Sequence, residues 1–476
     1  MNTIASCTAA FPDVRVPDMA LYYSEYIAVW KDIFENEPPW KSVRRSGLYN
    51  RGNRPLKRLN TAKSLCDEFA ALTFSEQCNI TIDEAQYQQY ILDVLESNSF
   101  WDSMPDLIAS AYALGGAAVK VYATDRMPVL DYIHADRFVP TEWVGKRIRG
   151  GIFQSVQCCS DKIYTLCERY TAKGQVYNKL FRSDSANDLG TECLLSELEI
   201  KAQPKTDYGM GVPMFGYFKP AVSYNAQIDT PLGMSIYANA MDTLAALDVA
   251  FDSFYREFVL GKKRIIVPST AVQTVMDTDS GQLVRYFDAD DEVFTALSAE
   301  DGDGLKITDN TMELRVDEHV RAINALLNIL CFQTGLSAGA LSFDAVQGLK
   351  TATEVISQDS KTARTIKCNK NMLTEMLEDV IHAIVALGVW LHQLPRRAYT
   401  VTVGWQDNVV IDDNTLIDNN IKLVQAGLKS KVSAIMEVLK CDEDTARQEL
   451  ERIASEQSVS GLSVDDLMGG GEDDQA

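Results

Sequence analysis

The spacing of apolar positions changes repeatedly along this chain, and each change predicts a new kind of element. Residues 18–36 (DMALYYSEYIAVWKDIFEN) place apolar side chains three and four apart, which predicts an amphipathic helix ended at Pro38-Pro39. Helical spacing recurs over 60–74, 82–98 and 101–114, the last stopped by Gly115-Gly116. The period then falls to two. AAVKVYA, PVLDYIHA, FVPTEW, GIFQSVQC, KIYTLCERYTA and QVYNKLFR alternate between turn signals and predict a meandering antiparallel sheet. Residues 1–232 therefore predict an α+β domain, with irregular chain around Pro204, Gly209, Gly211 and Pro213.

Helical period returns over 233–260, where Ile236, Ala240, Leu244, Leu247, Ala250, Phe254 and Phe258 share a face. A helix of that length spans about 42 Å. Gly261 stops it, and Lys262, Lys263 and Arg264 suit its C-terminal dipole. Residues 262–316 predict short strands (RIIVPS, LVRYFD, EVFTAL, MELRV) in an acidic insertion, and 317–335 a returning helix. The pair predicts an antiparallel helical stalk with a small β-rich tip. A Gly/Ser loop at 336–350 leads into a helix of about 60 Å over roughly 351–391. YTVTVGW then predicts a strand, and 414–427 and 432–456 predict helices, the second broken near Cys441.

The first half of the long helix is polar on nearly every side. Lys350, Glu354, Lys361 and Thr365 form no core stripe, so this stretch needs water or a complementary surface around it. Two readings follow: a solvated helix, or one packed laterally between identical subunits.

Charge narrows the function classes. The 476 residues carry a formal net charge of −22, which argues against tight duplex binding. An acidic wall suits DNA that passes without sticking. The basic segment with Lys41, Arg44, Arg45, Arg51, Arg54, Lys57 and Arg58 has few interleaved aromatics, which favours a solvated loop or a protein contact over nucleic acid. Residues 407–476 hold 16 acidic and 6 basic residues and end in MGGGEDDQA, expected to be disordered. No run of apolar residues is long enough for a membrane span, and no secretory signal is expected. Ten cysteines without a CxxC pair predict reduced, mostly buried thiols.

The chemistry of catalysis is missing. Gly261-Lys262-Lys263 lacks the first glycine and the Ser/Thr of a phosphate loop, and GMGVPM lacks the third glycine of a dinucleotide turn. No GxSxG elbow occurs. A calcium loop begun at Asp301 puts Leu305 and Met312 where oxygen ligands are required. Four histidines stand without metal-ligand spacing. No enzyme activity, metal or cofactor is expected.

Three strings carry a resemblance: TGLSAGALSFD at 334–344, GLKTATEVISQDSKTARTIK at 348–367, and GGAAVKVYA followed by YIHADRFVPTEW. They resemble the tunnel loop, following helix and wing of tailed-bacteriophage portal proteins, in the minor capsid, SPP1-like siphophage branch. The resemblance implies an α+β portal fold: wing at 1–232, stem helices at 233–261 and 317–335, clip at 262–316, and tunnel loop at 336–350. Long helix and wing closure follow at 351–406, then crown and acidic tail at 407–476.

It further implies a homo-oligomeric ring, usually of twelve, at one capsid vertex of the virion, assembled in the host cytoplasm. Double-stranded DNA passes through it during packaging and ejection. The terminase large subunit, head-completion or adaptor proteins, and the major capsid and scaffold proteins are the implied partners, with no membrane. By the same resemblance Ser337, Ala338, Gly339, Ala340, Leu341, Ser342, Phe343 and Asp344 line the narrowest point of the channel. Gly335 and Gly348 act as hinges, and Lys262, Lys263 and Arg264 form a basic ring at the stem–clip junction. For that last triplet helix capping is the equal alternative. A capsid adaptor that forms no ring, or a metal-dependent nucleic-acid enzyme, is the competing function.

Overall fold

The structure is a computed structural model. It describes residues 3–460 apart from 15–17, 47–50, 75–77, 160, 186–187, 199–202, 224, 226–229, 344–351, 406–412 and 440–442. Within 262–312 it describes only four short strands. The chain forms two compact units, Met1–Trp405 and Gln406–Ala476.

The first unit opens with α1 (Thr3–Ala10), α2 (Asp18–Phe34), a hairpin of β1 (Ser42–Ser46) and β2 (Arg51–Pro55), and α3 (Thr61–Phe74). Next come β3 (Asn79–Ile82), α4 (Ala85–Ser97) and α5 (Phe100–Leu114). The helix expected from 82 begins three residues later, because Ile80 and Ile82 are buried in a strand. α5 ends as its sequence demands: Gly115 takes a φ of +82° and donates its N–H to the Ala111 carbonyl.

The alternating segments form β4 (Ala117–Thr124), β5 (Met127–His134), β6 (Phe138–Val144), β7 (Arg147–Cys159), β8 (Lys162–Tyr170), β9 (Gln175–Ser183), β10 (Thr191–Cys193), β11 (Lys205–Asp207) and β12 (Phe215–Phe218). They do not make one meander. β12 pairs antiparallel with β4, giving a three-stranded sheet β12-β4-β5, while β6 to β10 form a second sheet with β11 on β9. Phe138, Phe153, Tyr170 and Phe215 pack edge-on and tilted between the two sheets, at centroid distances of 4.9–6.1 Å. Buried Lys120 on β4 also crosses between the sheets. Its ammonium binds Glu168 on β8 and lies 3.0 Å from Asp131 on β5. A buried cation needs such partners, since an unpaired one would cost several kcal/mol, on the order of its desolvation.

α6 covers Met241–Leu260. The expected start at 233 is corrected here: residues 233–237 are not helical, and Ala238–Ala240 form a single 3-10 turn. Leu232, Met234, Ile236 and Tyr237 are buried on all sides, where Ile236 N–H donates to the Tyr112 carbonyl and Tyr237 Oη to the Trp30 carbonyl. The apolar run is a core crossing, and the helix proper is about 30 Å long. The four strands described between 262 and 312 are β13 (Ile265–Ile266), β14 (Gln273–Met276), β15 (Leu283–Tyr286) and β16 (Thr308–Asp309), paired β13-β16 and β14-β15.

α7 (Val316–Thr334) returns antiparallel to α6, and α8 (Ala352–Trp390) runs for 39 residues. The second half of α8 is the spine of the core, with Leu373, Leu377, Val380, Ile381, Ile384 and Leu387 at 1% exposure or less. It approaches β12 so closely that a Cβ on Gly216 would lie 2.4 Å from the Met376 carbonyl oxygen. β17 (Val401–Gly404) then pairs with β3. The second unit holds α9 (Asp413–Gln425), α10 (Lys431–Leu439) and α11 (Glu443–Ser460); the break expected near Cys441 lies outside the described residues.

Candidate channel segment and its anchors

The segment begins where α7 stops. Gly335 adopts a φ of +89°, and both its N–H and that of Leu336 donate to the Cys331 carbonyl. Glycine is needed twice over here. The φ is left-handed, and an added Cβ would sit 2.9 Å from Thr365 Oγ1. The Thr365 hydroxyl donates to the Gly335 carbonyl at 2.8 Å.

One turn earlier on α8, the Thr362 hydroxyl accepts from the Ser337 N–H at 2.9 Å and donates to Ser337 Oγ at 3.0 Å. Ser337 is only 6% exposed. Within the chain it is a tether, and the open part of the segment is Ala338, Ala340, Ser342 and Phe343. α7 holds the other side: Asn328 Oδ1 accepts from the Gly339 N–H at 2.9 Å and Asn324 Oδ1 from the Phe343 N–H at 2.8 Å. Leu341 is half-buried against the core, and the Phe343 ring meets Phe254 of α6 edge-on at 6.0 Å. Anchors from three helices thus fix residues 335–343. Asp344 and Gly348, and likewise Lys262, Lys263 and Arg264, lie outside the described residues.

The polarity of early α8 has a partial explanation in these contacts. Thr362 and Thr365 face the segment, while Lys361 donates to the Phe332 carbonyl at 3.0 Å and lies 4.7 Å over the Phe332 ring. The ring itself is 76% exposed.

The α6–α7 pair carries its own polar ties. Gln333 Oε1 accepts from Thr243 Oγ1 at 2.8 Å, and near the far end Arg315 binds both carboxylate oxygens of Glu257 at 3.1 and 3.0 Å. That guanidinium holds the Glu257 carboxyl down to about 2. The basic segment of the early sequence folds against α6, which supplies its acidic neighbour. Arg54 of β2 forks onto buried Asp252, whose carboxylate also accepts from the Lys57 N–H at 3.1 Å. One turn away, Asp248 accepts from Trp40 Nε1 and the Leu59 N–H. The Arg54 bonds hold Asp252 below the usual carboxylate range, while burial pushes Asp248 above it.

Several large apolar side chains on this helical pair are exposed: Val249, Phe258, Val259 and Leu260 on α6, and Ile329 and Phe332 on α7. Cys331 is fully buried, which raises its thiol pKa. Among the described residues no group of three His, Cys, Asp or Glu is placed to hold a metal, and no helix is long and apolar enough to cross a membrane. The two threonines and two asparagines that hold the segment escape sequence reasoning. Their one signal is the i,i+4 spacing of Asn324 and Asn328 in the otherwise apolar run 322–332.

No curated protein sequence matches the chain. Among solved structures, a chain of the "Virion of native gene transfer agent (GTA) particle" is similar at 11% identity and a TM-score of 0.40, over 79% of this chain and 88% of that one. The profile of the phage portal protein family, SPP1 Gp6-like, matches residues 16–460, nearly the whole length. On that match the chain belongs to the SPP1 Gp6-like family of phage portal proteins.

Proposed function

We propose that the chain is one subunit of a homo-oligomeric ring of about twelve copies at a single capsid vertex, as its family membership implies. Double-stranded DNA passes through the ring during packaging and ejection. The terminase large subunit docks first and head-completion proteins afterwards, while scaffold and major capsid protein surround the body. In this reading residues 1–232 are the wing, 233–261 and 317–335 the stem, 262–316 the clip, and 336–350 the tunnel loop. Residues 351–406 close the wing, and 407–476 form the crown.

The observation that carries this reading is the segment 335–343. Its backbone is bonded by anchors on two long helices, while its open positions are small or apolar. Such a surface offers duplex DNA little to bind, which suits a passage and not a reader. The net charge of −22 acts in the same direction. The exposed apolar side chains of α6 and α7 favour burial against a neighbouring copy, in the head-to-tail contact that closes a ring. The portal has no chemical step of its own. It supplies geometry and a gate at Ser337–Asp344, with Gly335 and Gly348 at its ends and Lys262, Lys263 and Arg264 as a basic ring below. The ATP-driven motor resides on the terminase.

Single-particle cryo-EM of the purified chain, with native mass spectrometry of the same sample, tests the proposal. The expected particle is a ring with an opening of about 20 Å or more and residues 338–343 facing it. A closed oligomer that buries these residues would overturn it.

A further inference from the structure

α1 covers only part of the larger sheet. Ile152 on β7 and Cys167 on β8 are sealed in a small core with Cys7, Ala10 and Phe11. Further along the same face of these two strands lies a cleft of about 240 Å³. Alternation along β7 turns Gln154 and Val156 toward it, and Thr165, opposite Val156, and Ile163 face the same way from β8. Leu189 and the 3-10 turn Ala135–Arg137 contribute its sides. Gln154 is 6% and Thr165 5% exposed, yet neither side chain has a hydrogen-bond partner among the described residues. Their polar atoms are not sealed within the protein; they line the cleft. Other buried hydroxyls are spent on carbonyls, as Thr73 on Phe69 and Thr334 on Leu330. Two buried polar groups without partners are costly to the fold and call for a reason.

We propose that this cleft docks an extended peptide segment of a protein partner, which inserts one uncharged apolar side chain between Val156, Ile163 and Leu189 and sets its backbone against Gln154 and Thr165. Polarity, charge and size select this ligand. The Gln154 amide offers donors and an acceptor, and the Thr165 hydroxyl can act as either. A peptide backbone carries the matching N–H and C=O groups. Val156, 52% exposed, leaves apolar surface for a side chain to cover. The charged groups at the cleft balance: Asp136 is tied to Lys31 at 2.6 Å, and Arg137 and Asp188 are exposed and opposite in sign. That leaves no excess charge to hold a phosphate or an ammonium group. The volume lies below the range of about 300–1,000 Å³ usual for cofactor and small-molecule sites, and suits one large anchoring side chain. The inference concerns the body of one subunit and holds whether or not a ring forms.

The test titrates the full chain, labelled at its isoleucine, leucine and valine methyls for NMR, with N-acetyl-leucine N-methylamide, one apolar residue with a peptide group on each side. Saturable shifts are expected at Val156, Ile163 and Leu189, and weaker or no response there to adenosine. Gln154→Leu and Thr165→Val should each weaken the binding about five- to tenfold. Each replaces a buried group that has no partner in the free chain, so both should keep or raise the melting temperature, whereas loss of a merely structural hydrogen bond would lower it. Absence of a saturable shift at these methyls would overturn the proposal and leave the cleft to water. A stronger response to adenosine would overturn it in favour of a nucleoside ligand. Wild-type affinity or a lowered melting temperature in either variant would overturn it as well.

Discussion

Replacing Thr362 with valine keeps the shape of the side chain and deletes one hydroxyl. That hydroxyl accepts from the Ser337 N–H at 2.9 Å and donates to Ser337 Oγ at 3.0 Å. Because Ser337 is 6% exposed, water replaces the lost partner poorly. A buried donor left without an acceptor costs about 1–3 kcal/mol. At roughly 2 kcal/mol, local opening around residues 336–338 becomes about 30-fold more frequent. Gly335 keeps its bond to Thr365 and Gly339 its bond to Asn328, so the effect should be centred on Ser337 and fade on either side. Amide exchange on the folded chain reads this directly, with Asn328→Ala as a control that loosens Gly339 instead. If the Ser337 amide exchanges at the wild-type rate in a folded Thr362→Val chain, the segment is not tethered through α8 and the anchoring argument fails.

Three further perturbations probe the frame. Asp252→Ala leaves Arg54 and the Lys57 N–H without their acceptor, which should cost about 2–3 kcal/mol and expose the 42–55 hairpin to limited proteolysis; equal protease resistance would contradict it. Gly216→Ala sets a Cβ 2.4 Å from the Met376 carbonyl and 2.8 Å from Val380 Cγ2, so β12 and α8 must part, at about 1–3 kcal/mol and a lower melting temperature; an unchanged melting temperature would mean the contact is looser than described. Glu257, ordinarily titrating near 4.5 and held to about 2 by Arg315, stabilises the folded state above pH 4.5, and that contribution is lost as pH falls toward 2. Glu257→Gln should therefore flatten the acid dependence of amide exchange at the adjoining ends of α6 and α7 between pH 4.5 and 2.5, and a variant with the wild-type profile would refute the assignment.

The helices were legible because their ends are chemically marked. Left-handed Asn36 closes α2 just before Pro38-Pro39, and the left-handed glycines 115 and 335 close α5 and α7. What escaped was non-local. The strands SVRRS and RGNRP carry no apolar alternation, so the basic hairpin reads as a loop until Asp252, nearly 200 residues later, supplies its partner. Each alternating strand was readable alone. The division into two sheets was not, because it depends on FGYF at 215–218 pairing with β4 nearly a hundred residues earlier. The run at 233–237 misleads for a different reason. Apolar residues buried on every side carry no period of their own, and the helix that follows lends them a helical one.

The channel segment shows how sequence can mark a place without disclosing how it is held. Its small residues, and the polar helix after it, are visible as composition. The bonds that fix it run from Asn324, Asn328, Thr362 and Thr365, four side chains that lie outside it and are unremarkable in their own helices. Three of these bonds meet backbone N–H groups and one a carbonyl, and Thr362 adds a bond to the Ser337 hydroxyl. Backbone groups are the same whatever side chain they carry, so the anchoring places almost no demand on the residues it holds. The constraints from within are the φ of Gly335, the burial of Leu336 and Ser337, and the packing of Leu341 and Phe343. Ala338 and Ala340, exposed and small, are therefore set by what their surface must meet. On this argument substitutions at Ala338 and Ala340 should change what the segment does while leaving its conformation intact, whereas substitutions at the four anchors should loosen the conformation first.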